Sequence, residues 1–466
     1  MKKLLTLVII VLIAIGLIGP KFAGNTFNEQ MDAYIASLNT NEFYKVTVLE
    51  REQTWFSSTA NIQVVMVLPE QVNAQSEPLF DFVLQANAQH GPLLTRSGLG
   101  LGWLDWDVRL VSDELPDTLT VNGDGPIYQA SGVMGLFGSS SYNDRLLALE
   151  YTDASIGMVV STQGWQGEGD ISTNALRYSG GPGQLFIKAL DMYDLSLEGV
   201  TMSYTADASI NEMLKGNFYD GGGSFFIDKM RLNSPDESSQ TLIEKLQIQS
   251  TADFNPSTDL ADIEVNMSMV KLDTPEVKVD DLTISMTINN IQQAFSKAYQ
   301  KMNQDIMESP AQAQEIMQQA MQTHLLGQLI AEPEINITEL VGVINGGNID
   351  ISSSNKLVGV TSLPDTMENN AFWMQHLDSN TRMSVDESAA LTIAGIMLEG
   401  QLANNPQLAQ MPPEQFQEVL RQQSAATLNS LVQQGFFIKT EAGYSMLFTL
   451  KDGKAVLNSN NIPLPM

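Results

Sequence analysis

Cysteine is absent from the 466-residue chain. That excludes disulfide cross-links, zinc–thiolate sites, thiol catalysis and a lipid carried on an N-terminal cysteine. Histidine is almost absent: only His90, His324 and His376 occur, and none has a second histidine at metal spacing. Basic residues are scarce as well, 24 against 54 acidic ones, which leaves a formal net charge of −30. A surface of that sign repels phosphate backbones and offers no polybasic patch to anionic lipid head groups, so nucleic acid is excluded as a partner. Charged residues make up 17% and hydrophobic ones 43%, the balance of a chain that buries a core rather than that of a disordered tail.

The chemical motifs are missing too. There is no P-loop and no Gly-x-Ser-x-Gly elbow. Gly98-Leu99-Gly100-Leu101-Gly102 lacks the third glycine of a dinucleotide fingerprint and reads as a loop or hairpin end. Asn122-Gly123-Asp124-Gly125 lacks the closing Glu of a calcium loop. Asp280 and Asp281 are neighbours on a predicted strand and point to opposite faces, so they do not converge for acid–base work. His324 falls on the apolar side of a predicted helix and reads as a core or boundary histidine. His90, at the strand end His90-Gly91-Pro92, reads as a turn histidine satisfied by backbone. Trp103 and Trp106, interleaved with Asp105 and Asp107, read as packing at a sheet end, with a binding lip as the alternative. No residue is assigned a catalytic, cofactor-binding or metal-binding role, no cofactor is expected, and the chain is not expected to be an enzyme.

What is present begins at the N-terminus. Lys2 and Lys3 precede a run from Leu4 to Ile18 interrupted only by Thr6 and Gly16, and Gly19-Pro20-Lys21 stops it. As a helix the run is about 22 Å long, short of the roughly 30 Å hydrocarbon core, and snorkelling lysines at each end close the gap. A cut after Ala23 would put Lys21 at the −3 position and a cut after Gly24 would put Phe22 there, neither of them small. An uncleaved signal-anchor over 1–21 is therefore expected, with the N-terminus inside by the positive-inside rule and the bulk of the chain in the periplasm.

Residues 22–40 carry Phe27, Met31, Tyr34, Ile35 and Leu38 at helical spacing. Strand patterns then dominate to about 290, over 43–50, 54–68, 79–90, 106–112, 145–151, 155–162, 184–199, 201–209, 224–233, 244–252 and 259–289. Alternation is clean at Ile263, Val265, Met267 and Met269 and again at Leu282, Ile284, Met286 and Ile288. Glycine-rich stretches at 122–126, 180–183 and 221–223 read as turns. Similar heptads at Phe186–Met192, Phe226–Leu232 and Lys278–Ile284, at irregular spacing, read as strands of similar composition, with a repeated hairpin unit as the alternative. Helical periodicity follows at 291–330, with Ser309-Pro310-Ala311-Gln312 read as a capping box that restarts the helix, and at 386–402 and 413–434, where Gly435 is placed as a C-cap. Strands return at 334–344 and 348–352 around Asn345-Gly346-Gly347, and the chain closes on a hairpin turning at Asp452-Gly453. The fold class read from this is α+β: mostly antiparallel sheet in an elongated body, helical segments near 291–330 and 386–434, and one N-terminal transmembrane helix. The regions are 1–21 (anchor), 22–290 (β-rich) and 291–466 (mixed).

Several stretches together carry a resemblance: the anchor, Tyr44, Trp55-Phe56-Ser57-Ser58-Thr59-Ala60, His90-Gly91-Pro92-Leu93, Gly435-Phe436-Phe437, Asp452-Gly453-Lys454 and Asn458 to Pro463. This arrangement resembles the YdgA-like family of proteobacterial envelope proteins, a family of unknown function, over nearly the whole chain. The tail departs from the family's Asn-Gly before the closing Ile-Pro, because Asn458-Ser459-Asn460-Asn461-Ile462-Pro463 has no glycine. The resemblance implies an inner-membrane-anchored periplasmic protein able to form homo-oligomers, and at fold level its long β-rich body is similar to the AsmA-like proteins that handle lipids. The expected role is non-catalytic: a lipid-handling groove, with a scaffold or interaction protein that binds other envelope proteins as one alternative and a periplasmic hydrolase as a more distant one. The apolar faces of 263–269 and 282–288 exceed what the few helices before residue 290 can cover, so either the sheet folds over on itself as a sandwich or part of the apolar face is left as a groove for a ligand or partner.

Overall fold

A computed structural model describes residues 20–463 apart from 37, 40–43, 67–79, 111–117, 155–156, 190–193, 236–238 and 403–412. The expected anchor therefore lies almost wholly outside the described residues, and among those that are described no helix is long and apolar enough to cross a membrane. Antiparallel sheet dominates, with 55% strand and 24% helix, so the α+β class holds. The chain divides into two compact units, one from the described part of Met1–Met192 with Glu198–Gly221, the other from that of Tyr193–Leu197 with Gly222–Met466.

In the first unit a helix over 20–36 (α1) leads into β1 (Tyr44–Gln53), β2 (Ser57–Met66) and β3 (Phe80–His90). A small hairpin follows, β4 (Leu93–Leu94) with β5 (Gly100–Leu101). Then come β6 (Leu104–Leu110), β7 (Leu119–Asn122), β8 (Tyr128–Met134), β9 (Ser140–Leu146), β10 (Ala148–Asp153), β11 (Met158–Thr162), β12 (Trp165–Ser172), β13 (Ala175–Lys188), β14 (Asp194–Ala206) and a short α2 (Ile210–Leu214). Pairing runs β1–β2–β3–β6–β8–β9–β12–β13, every step antiparallel. Met31 and Ile35 of α1, two residues of the helical stripe, pack on Val46, Ala60, Ile62 and Ala86 of β1, β2 and β3. Burying these side chains is the main local stabilisation.

In the second unit β15 (Gly221–Asn233), β16 (Gln240–Asn255), β17 (Leu260–Asp273) and β18 (Lys278–Gln292) precede a helical pair, α3 (Gln293–Glu308) and α4 (Ala313–Ile330). After them come β19 (Glu334–Ile344), β20 (Gly347–Leu357), α5 (Asn370–His376), β21 (Leu377–Asp386), α6 (Glu387–Leu402), α7 (Pro413–Gln433), β22 (Ile438–Lys439), β23 (Gly443–Lys451), β24 (Lys454–Leu457) and β25 (Asn460–Ile462). Neighbours β16 to β21 pair in sequence order and β21 then takes β23. The core lies where α6 and α7 cover this sheet, at Ile349, Val385, Ala389, Ala390, Leu428 and Tyr444.

Several expectations are corrected. Gly180–Gly183 is not a turn but lies inside β13, where the strand changes partner from β12 to β11. Gly221–Gly223 likewise opens β15. Segment 259–289 is two strands joined over 274–277. The capping box at Ser309 does not form: Ser309 ends α3, with its N–H donated to Asp305, a 3-10 turn covers Pro310–Gln312, and Gln312 precedes α4 with no side-chain cap. Gly435 does take the left-handed conformation expected of a C-cap, at φ +80°. Asn345-Gly346 and Asp452-Gly453 both have two successive positive φ values, the hairpin-turn geometry that matches strand twist. The glycine-free tail makes the same turn with Asn458 at φ +51° and Ser459 at φ +69°, so serine occupies a position where glycine would be unstrained.

Candidate functional site: an aromatic and glycine face of the first unit

Side chains directly opposite one another on paired strands share a face. The register therefore puts Ser58, Ala88, Trp106, Gly132, Tyr142, Gly169 and Tyr178 in one row across seven strands. The next row on that face holds Ala60, Ala86, Val108, Ala130, Asp144, Gly167 and Gly180. A β-carbon on Gly169 would lie 2.5 Å from the Tyr142 ring, and one on Gly180 the same distance from the Trp165 indole. Gly132 and Gly167 are closed in the same way by Trp106 with Tyr142 and by Tyr178 with Asp144. The glycines thus make a floor without β-carbons on which the rings lie. Tyr142 stacks on Tyr178 at 6.3 Å and 14°, and Trp106 sits 6.3 Å from Tyr142 on the other side.

Several polar atoms of the face bond to one another. Trp165 Nε1 donates to Tyr178 Oη at 2.6 Å, and that hydroxyl donates to Asp144 at 3.2 Å. Burial first, and then the charges and hydroxyls of neighbours including Asp144, push Tyr128 and Tyr142 up to about 12. These phenols stay neutral across the physiological range. Trp106, Tyr128, Tyr142, Trp165 and Tyr178 are half-buried, whereas the alternating residues Gln166, Glu168 and Asp170 are exposed on the other face.

At the β3 end the face is sealed. Gly24 of α1 lies against His90, leaving no room for a β-carbon. His90 is 1% exposed, and its Nε2 is 3.1 Å from Ser58 Oγ. The ring is thus held by the Ser58 side chain on one edge and makes a backbone contact with Trp55, so the turn histidine read from the sequence is also a buried one. With both partners buried and no carboxylate on the imidazole, the pair has neither the access nor the third group that a serine nucleophile needs. Burial lowers the His90 pKa, and a backbone contact with Trp55 offsets this in part. The folded state therefore binds a proton less readily than the unfolded chain. The contribution of this histidine is fully present above the unfolded pKa of about 6.5 and is lost as the pH falls toward the folded value. Thermal midpoints followed downward from neutral pH should drop less steeply in His90→Gln than in the wild type over the range above the carboxylate pKa values. Parallel slopes would show that His90 does not titrate differently on folding.

The opposite face of β6 carries charge. Asp107, with a side chain 4% exposed, is ion-paired to both Arg96 and Arg109. Asp105 accepts from the Ser97 N–H at 2.8 Å and from Ser97 Oγ at 2.9 Å. Gln89 accepts from the N–H groups of Thr95 and Arg96. Together these contacts strap residues 91–103 over the sheet. The Trp103, Asp105, Trp106, Asp107 cluster is therefore split by strand alternation: Trp106 joins the aromatic row, the acids hold the strap, and Trp103 Nε1 reaches the Leu136 carbonyl at 3.0 Å. The remaining histidines lie in the second unit. His324 is half-buried on α4, and His376 Nδ1 is 2.8 Å from the Val358 carbonyl oxygen. Asp281 takes φ +48° at an irregularity in the β18–β19 register. Among the described residues no group of three potential ligands is arranged to hold a metal.

The sequence reading missed the face itself because it placed no strand over 113–144 or 163–183 and read 180–183 as a turn. The signal was there: Trp165, Gly167, Gly169 and Ile171 alternate with Gln166, Glu168, Asp170 and Ser172, a strand pattern in which glycine stands where an apolar residue is usual.

These features define a protein built mainly of antiparallel sheet, with an aromatic and glycine face on its first unit. The chain belongs to a family described as bacterial protein of unknown function (DUF945), whose model matches residues 1–465. Comparison with curated proteins and with solved structures gave no match.

Proposed function

We propose that the protein is held in the inner membrane by the apolar run 4–18, faces the periplasm, and presents the aromatic and glycine face of its first unit as a non-catalytic seat for lipid acyl chains. The observation that carries this reading is the half-buried row of Trp106, Tyr142, Tyr178 and Trp165 over a floor without β-carbons. A ring-lined, largely apolar surface suits a hydrocarbon chain, which asks mainly for apolar contact. A sugar would need free hydrogen-bonding groups, and Trp165, Tyr178 and Asp144 already bond to one another. The resemblance to YdgA-like envelope proteins and, at fold level, to lipid-handling AsmA-like proteins agrees with this. The second unit has half-buried apolar rows of its own, where Val265 pairs with Met286 and Met267 with Ile284.

The test is mass spectrometry of acyl lipids that remain with the full-length protein after detergent washing, in wild type and in Tyr142→Glu. Both carry the same N-terminal segment, so lipid bound around that segment cancels. Wild type is expected to retain an acyl lipid that the variant loses while keeping its circular dichroism. Equal lipid in both would remove the face as the seat and leave a scaffold that binds other envelope proteins or copies of itself.

A further inference from the structure

Four separate segments of the first unit meet at one end of its sheet: the start of α1, the β1–β2 turn, the strap 91–103 and the β8–β9 turn. The registers require it. Ser57 pairs with Gln89, His90 with Leu104, and Leu104 with Met134. Trp103 donates its backbone N–H to the Met134 carbonyl, and α1 is tied to this end by Gly24 against His90 and by the Lys21 ammonium 5.2 Å above the Trp55 ring.

This end is apolar and exposed. Phe137 is 100% exposed, Leu99 84%, Phe22 73% and Leu101 67%, with Trp55 and Phe56 beside them. Large apolar side chains gathered at loop tips, with no fold to pack into, mark a surface made for something else. The charge distribution says what that is. None of the 54 acidic residues falls in 20–28, 54–60, 91–104 or 133–143, whereas Lys21 does; the strap's Arg96 is balanced by the buried Asp107. At the other end of the same strands the turn before β8 carries Asp124. In a chain of net charge −30, this edge is the approach by which an anionic surface is not repelled. Aromatic rings with lysine at their side are also the composition of a membrane–water interface.

Chain length supplies the independent constraint. Only Gly19 and Pro20 separate Ile18, the last residue of the apolar run, from Lys21, and three residue steps span at most about 11 Å. If the run 4–18 lies in the bilayer, the Lys21–Trp55 contact holds this end of the sheet within that reach of the head groups. We infer that the loop tips carrying Phe22, Trp55, Phe56, Leu99, Leu101 and Phe137 insert into the interface of the membrane that holds the N-terminal run, so that the first unit stands on the bilayer by its strap edge. This inference rests on the anchor reading above, and the test separates the two.

The chain has no cysteine, so single-cysteine variants of the full-length protein can be labelled without background. Ile10→Cys, Leu99→Cys, Phe137→Cys and Asp124→Cys are labelled with an environment-sensitive fluorophore and reconstituted in vesicles of phosphatidylcholine and phosphatidylglycerol. Nitroxide-bearing lipid and aqueous iodide then compete as quenchers. The expected result is loss of emission to lipid nitroxide, with protection from iodide, at positions 10, 99 and 137, and the reverse at 124. Lipid quenching at position 10 with iodide quenching at 99 and 137 would overturn the inference and leave the anchor standing. Iodide quenching at position 10 would remove the anchor itself, and the inference with it. Protection from both quenchers at 99 and 137 would mean that a protein surface covers the edge, which also overturns it.

Discussion

Replacing Arg96 and Arg109 together by alanine should destabilise the first unit by about 3–5 kcal/mol, because it leaves the Asp107 carboxylate buried with no counter-charge. The reverse deletion should cost less. The arginine side chains are 30% and 40% exposed whereas Asp107 is 4% exposed, so in Asp107→Ala both guanidinium groups can turn to water, and the loss should stay near 1–3 kcal/mol. The asymmetry is the diagnostic result. Tryptophan fluorescence in a urea titration reads it, since Trp55, Trp103, Trp106 and Trp165 all lie in the first unit and only Trp373 lies in the second. A separate reading for one unit matters because a two-unit chain is not expected to unfold in a single step. Equal losses from the two deletions would indicate that the triad is solvated and contributes no more than surface pairs do.

The second large effect concerns the glycine floor. Gly169→Val and Gly180→Val each put branched carbons where the Tyr142 and Trp165 rings now lie, and overpacking of this kind costs about 2–3 kcal/mol. Both variants should also lose bound acyl lipid, because the rings must lift off the sheet. Gly100→Val is the matched control. It too is a strand glycine, its β-carbon would meet nothing within 4 Å, and its change should stay within about 0.5 kcal/mol. If Gly169→Val were as mild as the control, the rings would be free to move aside and the face would not be preorganised.

Period-two alternation carried most of the architecture. Leu282, Ile284, Met286 and Ile288 lie opposite Met269, Met267, Val265 and Ile263, as two strands with shared apolar faces should. Helical spacing likewise located α1, α3, α4, α6 and α7. Reading glycine as punctuation failed at Gly180 and Gly183, and Gly167 and Gly169 drew no assignment, because glycine in a strand also marks close approach of a ring. That second meaning needs knowledge of which strands pair, and pairing is a long-range property. The strap on Asp105 and Asp107 was hidden for the same reason: alternation shows that these acids and Trp106 part company, but the partners Ser97, Arg96 and Arg109 follow only from how the chain turns at Gly91-Pro92.

Most strand pairs in both units join neighbours in the sequence: β1 with β2, β2 with β3, β8 with β9, β12 with β13, and each of β16 to β20 with the next. A polypeptide emerging N-terminus first can therefore zip each new strand onto an edge that has just formed, without waiting for distant parts of the chain. Loop-closure entropy for such local pairing is small, and low contact order favours rapid folding. Each newly exposed edge is also covered by the next strand to arrive, so a growing sheet of this length spends little time as a template for aggregation.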